Sequence, residues 1–319
     1  MSDILCEFRR AGRVEAVHAV SAVVMERGRV LMARGDADTA VFMRSCAKPF
    51  QALAVVESGA AEAFALTGAE LAVVCGSHSG EKVHGEAVRS ILRKAGLTPA
   101  ALRCGTHPPI SAKGLRQLYG AGREPSAVHN NCSGKHAGML AAARRLGLSV
   151  RDYLDPAHPV QRMNLVNVAG FAEVPEREIG IGTDGCSAPN FALPLRAMAR
   201  AMGNFCSSNG GAARLRGAMT RHPRMVGRFC ADLMIAGRGR IVAKGGAEGA
   251  YLLGLPGRGA AIALKVADGN SRPWPHVIAA LLRELGLLGK EDLSRVEKLA
   301  APGLRNCAGR EVGDVRVRF

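Results

Sequence analysis

RSCAKPFQALAVVESG, residues 44–59, sets Ser45 three positions ahead of Lys48 where a helical pattern begins. Ahead of it the chain reads as strand: AVHAVSAVVMERGRVLMARG (16–35) is two apolar runs about the turn Glu26-Arg27-Gly28, which predicts a hairpin. From Ser45 onward a helix is predicted, with Ser45 as N-cap and Pro49 in the tolerant first turn. The switch from strand to helix at this point, and back again near residue 240, decides the fold class.

Between these limits ELAVVCGSHSGE (70–81) predicts a buried strand over Leu71–Cys75, then a loop and a helix from about Glu81. NNCSGKHAGMLAAARRLG (130–147) predicts a loop feeding a helix that stops at Gly147. REIGIGTDGCSAPNFALPL (177–195) reads as a short strand, a Gly-rich turn and a helix. RIVAKGGAEGAYLLGLPGRGAAIALKVADGN (240–270) alternates strand and turn signals as an antiparallel meander does, and a final helix is predicted over Trp274–Leu285. Strands at both ends with helices between predict a layered α/β (α+β) domain over 1–319. Its central, mostly antiparallel sheet is completed by both termini and flanked by helices. A two-lobe division would place a helical part at roughly 45–237.

At 319 residues with 48% hydrophobic content, the chain can bury a sizeable core. The formal charge of +16 invites a nucleic-acid reading, and a zinc-containing basic nucleic-acid-binding protein is the non-enzyme alternative. Two features argue against it. The basic residues are scattered with no block of five, and with one Trp and three Tyr there is little to stack bases on. Nine cysteines without a Cys-x-x-Cys, no apolar signal core and no membrane-length apolar run predict a cytoplasmic protein with reduced thiols and no membrane partner.

Residues three apart on a helical turn share a face, so Lys48 is within reach of Ser45. A serine hydroxyl attacks only if a neighbouring base removes its proton, and lysine can do so once burial or another cation lowers its pKa. The competing reading is an ordinary helix cap with a surface lysine. CGSHSGE adds Ser77 beyond an apolar segment, with a turn or cap as its plain alternative. AKGGAEG adds Lys244 before two glycines that let a substrate approach the backbone; Lys265 is its rival. Ser-x-x-Lys, a second serine and a lysine-glycine strand stand in the order found in serine acyltransferases that open β-lactams.

The loop NNCSGKHAG fails the phosphate-loop pattern at His129. Its Cys132 and Lys135, with Cys186 in another Gly-rich turn, offer thiolates and an amine to zinc, against the alternative of a buried cysteine at a helix start. GIGTDG matches a dinucleotide fingerprint. No acidic residue follows Asp184 before Asp232, however, so the dinucleotide reading fails, and Asp184 suits a substrate ammonium or an Asx-turn. His136 and His222 read as structural.

Together RSCAKPFQAL, SHSGE, NNCSGKHAGML, GTDGCSAPNFALPL, RHPRMV and AKGGAEG resemble the L-asparaginase II family, the Rhizobium etli type, over about Val17–Asn270. The resemblance implies a fold related to serine β-lactamases and glutaminases, a homodimer, and hydrolysis of L-asparagine to aspartate and ammonia. It implies tandem Ser-Lys pairs, Ser45 with Lys48 and Ser77 with Lys244. It further implies zinc on Cys132, Lys135 and Cys186, and a substrate site at Arg44 and Asp184. Cys46 departs from the small residue usual between the serine and lysine. The enzymatic alternative is a Ser-x-x-Lys acyltransferase or hydrolase of the β-lactamase or glutaminase type.

Overall fold

A computed structural model describes residues 3–300 and 304–319. Its strands, in chain order, are β1 (Ile4–Arg10), β2 (Arg13–Glu26), β3 (Arg29–Arg34), β4 (Ala40–Phe42), β5 (Gly180–Thr183), β6 (Pro189–Pro194), β7 (Val242–Gly245), β8 (Ala250–Leu255), β9 (Ala260–Val266) and β10 (Asp314–Arg318). The larger sheet runs β10-β1-β2-β9-β8-β7, with β3 also on β2, and every pairing is antiparallel. A smaller sheet runs β4-β6-β5. The fold is thus a mixed α/β architecture built on antiparallel sheets, as expected.

The long strand β2 organises the larger sheet. Its first half pairs with β1, and its second half is held between β3 and β9. The predicted hairpin forms at Arg27 and Gly28, both with positive φ, the backbone that matches the twist of the flanking strands.

Both faces of this sheet are covered. A Cβ at Gly254 of β8 would collide with the Cys206 sulfur on helix Leu195–Ser207, so that face carries that helix. Tyr251, three residues earlier, points to the opposite face and packs against Trp274, which begins helix Trp274–Glu284. The remaining helices, including the largely buried Gly68–Val74 and Ser133–Arg145, fill the chain between the outer strands. Among the described residues, no helix is long and apolar enough to cross a membrane.

Four local expectations are corrected. The segment read as a strand at Leu71–Cys75 is helix Gly68–Val74. A short apolar run buried on every side has no periodicity to tell strand from helix; the deciding signal is the capping box of Thr67 and Glu70. Pro189–Pro194, read as part of a helix, is strand β6, paired on both edges. Ser45 caps no helix: it lies in a 3₁₀ turn, Arg44–Ala47, ahead of short helices Lys48–Gln51 and Leu53–Glu57. The predicted final helix forms at Trp274–Glu284, but helix Lys290–Ala300 and β10 follow it.

Candidate active site

The turn that carries Ser45 is pinned from three sides. The Arg44 N–H donates to Asn190 Oδ1 (3.0 Å), and its guanidinium to Asp184 Oδ1 (2.8 Å). The Cys46 thiol donates to the Lys244 carbonyl (3.1 Å), tying the turn to β7. Burial pushes that thiol up to about 12, so Cys46 is a packed protonated side chain rather than a nucleophile. Arg44 adopts a left-handed backbone (φ 50°), a conformation costly for a side-chain-bearing residue, immediately before the serine.

Lys48 is fully buried. Its Nζ lies 2.8 Å from Gly76 O, 2.9 Å from Ser77 Oγ and 3.3 Å from Asn131 O. The amine therefore meets Ser77 and makes no hydrogen bond to Ser45, although the two share a turn in sequence. Desolvation lowers its pKa to about 8, with the nearby Lys244 and Lys135 charges acting the same way. Ser77 leaves the end of helix Gly68–Val74 with its N–H on Val226 O (2.9 Å). From β7, Lys244 places Nζ 3.0 Å from the same Ser77 oxygen and 2.6 Å from Gly245 O. One hydroxyl thus bridges two buried amines. Lys265 has no part in this: it lines a separate surface recess with Glu248 and Phe42.

A third buried lysine lies alongside. Helix Ser133–Arg145 begins just after Cys132, and Gly134 sits so close to the Val73 carbonyl that any side chain there would collide. That close approach brings Lys135 inward, and its amine donates to Cys186 Sγ (3.1 Å). Cys186 lies 3.8 Å from Asp184 Oδ2. Hydrogen bonding from Cys186 holds the Cys132 thiol well below its ordinary range, while Cys186 itself is pushed up. Burial works against the Lys135 ammonium, but Cys186, Cys132 and Asp184 outweigh it and hold the amine above its usual range. Burial likewise opposes the Asp184 carboxylate, yet Lys135 and Arg44 keep it below the usual carboxylate range.

Two sulfurs and an amine suit a borderline-soft divalent ion, provided the amine gives up its proton. Among the described residues no group of three or more His, Cys, Asp or Glu is arranged for a metal. The Cys132–Lys135–Cys186 set, with lysine as its third donor, is of a different kind.

Two recesses meet at Ser45. The smaller, about 220 Å³, is lined by Arg44, His107, Cys132, Asp184 and Cys186. The larger, about 480 Å³, contains Ser77, Lys244, Phe229, Cys230 and Trp274. Ser45, Asn131 and Ala247 line both. All nine residues singled out from sequence gather here. Sequence reasoning missed Asn131, whose carbonyl receives Lys48, and His107, which accepts the Asn131 N–H (2.9 Å). It also missed Cys230, which accepts the Gly245 N–H (3.0 Å). Asn131 stood inside a quoted motif, whereas His107 and Cys230 carry no spacing signal.

The family model described as L-asparaginase II matches residues 6–317. No curated protein matches the chain significantly. Among solved structures, a β-lactamase from Mycobacterium bovis is 15% identical and aligns over 83% of this chain and 94% of its own, with a TM-score of 0.45. A mutant class C β-lactamase is 13% identical over 88% of this chain and 91% of its own, with a TM-score of 0.38.

Proposed function

Since the chain belongs to the L-asparaginase II family, we propose that it hydrolyses the side-chain amide of L-asparagine, releasing aspartate and ammonia. The observation that carries this reading is the Ser77 hydroxyl held between the buried amines of Lys48 and Lys244 beside Ser45.

In this reading asparagine enters the smaller recess, its carboxylate on Arg44 and its ammonium on Asp184. The carboxamide then lies over Ser45, at the junction of the two recesses. Neutral Lys48 has two N–H groups, which Gly76 O and Asn131 O accept, so its lone pair is left for the Ser77 hydroxyl. Ser45 Oγ attacks the amide carbon, and its proton passes by way of Ser77 to Lys48. The C–N bond breaks as that proton returns to the leaving nitrogen, giving ammonia and an aspartyl ester on Ser45. Water then attacks the ester, restoring the serine hydroxyl and releasing aspartate. Lys244 donates to Ser77 and steadies the charge that develops around it.

Zinc is proposed on Cys132, Lys135 and Cys186, where it would supply a fixed positive charge that orients the substrate end of the small recess. The assembly is proposed to be a homodimer.

A second reading makes Ser77 the attacking hydroxyl, favoured by its contact with both amines. Ammonia release and acid-quenched intact mass separate the two. Ser45→Ala should abolish both turnover and the aspartyl adduct, whereas Ser77→Ala should slow turnover by about two decades or more. Near-normal turnover in Ser45→Ala would transfer the nucleophile to Ser77. No ammonia from asparagine with the wild type would end the proposal.

A further inference from the structure

In the asparagine reading the substrate itself occupies only the smaller recess, because an ammonia leaving group needs no pocket. The larger one is left over. At about 480 Å³ it falls within the roughly 300–1,000 Å³ typical of small-molecule sites.

Its lining is specific. Phe229, Trp274 and Pro275 form an apolar wall, and Arg228 and Arg272 line the same recess. Neither arginine forms an ion pair among the described residues. Glu248, which also lines the recess, faces Arg44 at 3.6 Å. Arg272 is held in place with its guanidinium 3.7 Å above the Phe8 ring. Arg228 has a left-handed backbone (φ 50°) directly after Gly227 (φ 96°), where an added Cβ would lie 2.6 Å from the Ser77 carbonyl. A strained turn pressed against the Ser77 backbone therefore brings Arg228 into the lining of this recess. Two guanidinium groups that form no ion pair among the described residues, set beside an apolar wall, favour an anionic, partly apolar ligand.

The placement of the proton relay gives the recess its role. Ser77 and Lys244 line the larger recess and not the smaller, so the groups that would protonate the departing nitrogen face this side of Ser45.

We propose that the larger recess receives the leaving group of N-substituted asparagines, and that β-aspartyl dipeptides are substrates. The leaving amino acid would set its carboxylate on Arg228 and Arg272 and its side chain on Phe229 and Trp274. This rests on the amidase reading of Ser45. The chemistry balances as before. Ser45 Oγ bonds to the β-carbonyl carbon, the C–N bond breaks, and the serine proton leaves on the free amino acid. Water then cleaves the ester to aspartate, so one water is consumed per peptide.

The test measures aspartate release by the full-length enzyme from asparagine, β-aspartyl-leucine and β-aspartyl-leucinamide. The wild type should cleave the dipeptide with kcat/KM about tenfold or more above its amide, the scale of one charge-assisted hydrogen bond. Arg228→Asn, chosen because asparagine tolerates left-handed backbone, should lower the dipeptide-to-asparagine ratio of kcat/KM by about tenfold. Cleavage of asparagine but not of the dipeptide would overturn the proposal and leave the asparaginase reading standing. Cleavage of neither would remove both. Equal rates on dipeptide and amide would overturn the arginine assignment without any variant having to fold.

Discussion

Lys48 and Lys135 each lie in the first turn of a helix, are buried, and reach into one cleft, yet their amines are pushed in opposite directions. Desolvation disfavours the ammonium at both. Lys48 meets two carbonyls, a hydroxyl and the charges of other lysines, and the thiol charges nearby only partly oppose the loss. Lys135 meets Cys186, Cys132 and a carboxylate, which reverse the outcome. Burial sets the default for a lysine, and the nearest anion decides whether it holds. The first position suits a base beside a hydroxyl. The second suits a cation among sulfurs, or a donor to a metal that displaces its proton.

The largest effect expected is at the first position. Lys48→Met should lower asparagine turnover by about 10²–10⁴-fold with an unchanged circular dichroism spectrum; a folded variant retaining a tenth of wild-type rate would break the contrast. The next concerns the second position. Removing metal with a chelator, or making Cys132→Ser, should empty the protein of zinc while costing less than about tenfold in rate, since the thiol cluster contributes orientation rather than proton transfer. Metal analysis beside turnover checks this, and a loss as deep as that of Lys48→Met would merge the two sites into one.

The pH profile sharpens the contrast. Lys48 must be neutral to accept a proton, so kcat/KM should climb with pH through an apparent pKa of about 8. A profile flat from pH 6 to 9 would remove Lys48 as the base. Smallest is Thr67→Ala, which deletes the capping box of the helix leading to Ser77. It should cost about 1 kcal/mol and lower Tm by about 2–4 °C. If turnover fell with it by more than about threefold, that helix end would prove to control the position of Ser77 as well as its own stability.

What could be read from sequence follows from range. The hairpin at Arg27-Gly28, the meander over 240–270 and the helix after Cys132 declare themselves through turns, alternation and caps within a few residues. The Gly68–Val74 helix did not, because the run Leu71–Val74 within it is apolar and buried throughout. The sheet was expected to be completed by both termini, but the pairing of β1 with β10 could not be read, since those two strands meet only across the fold. The site divides the same way. The order Ser45, Lys48, Ser77, Lys244 was visible, and so were the thiols. That Lys48 bonds to Ser77 instead of Ser45 was not, because it depends on a 3₁₀ turn and on the end of a different helix. Arg228 and Trp274 carry no motif at all; only the shape of the recess brings them forward.

The pairing of β1 with β10 has a consequence for biosynthesis. About three hundred residues separate the two strands, so while the chain is being made the N-terminal hairpin leaves the ribosome with one flank of backbone N–H and C=O groups open to other chains. Closure must await residues 314–318, so that flank stays unpaired until translation has passed that point.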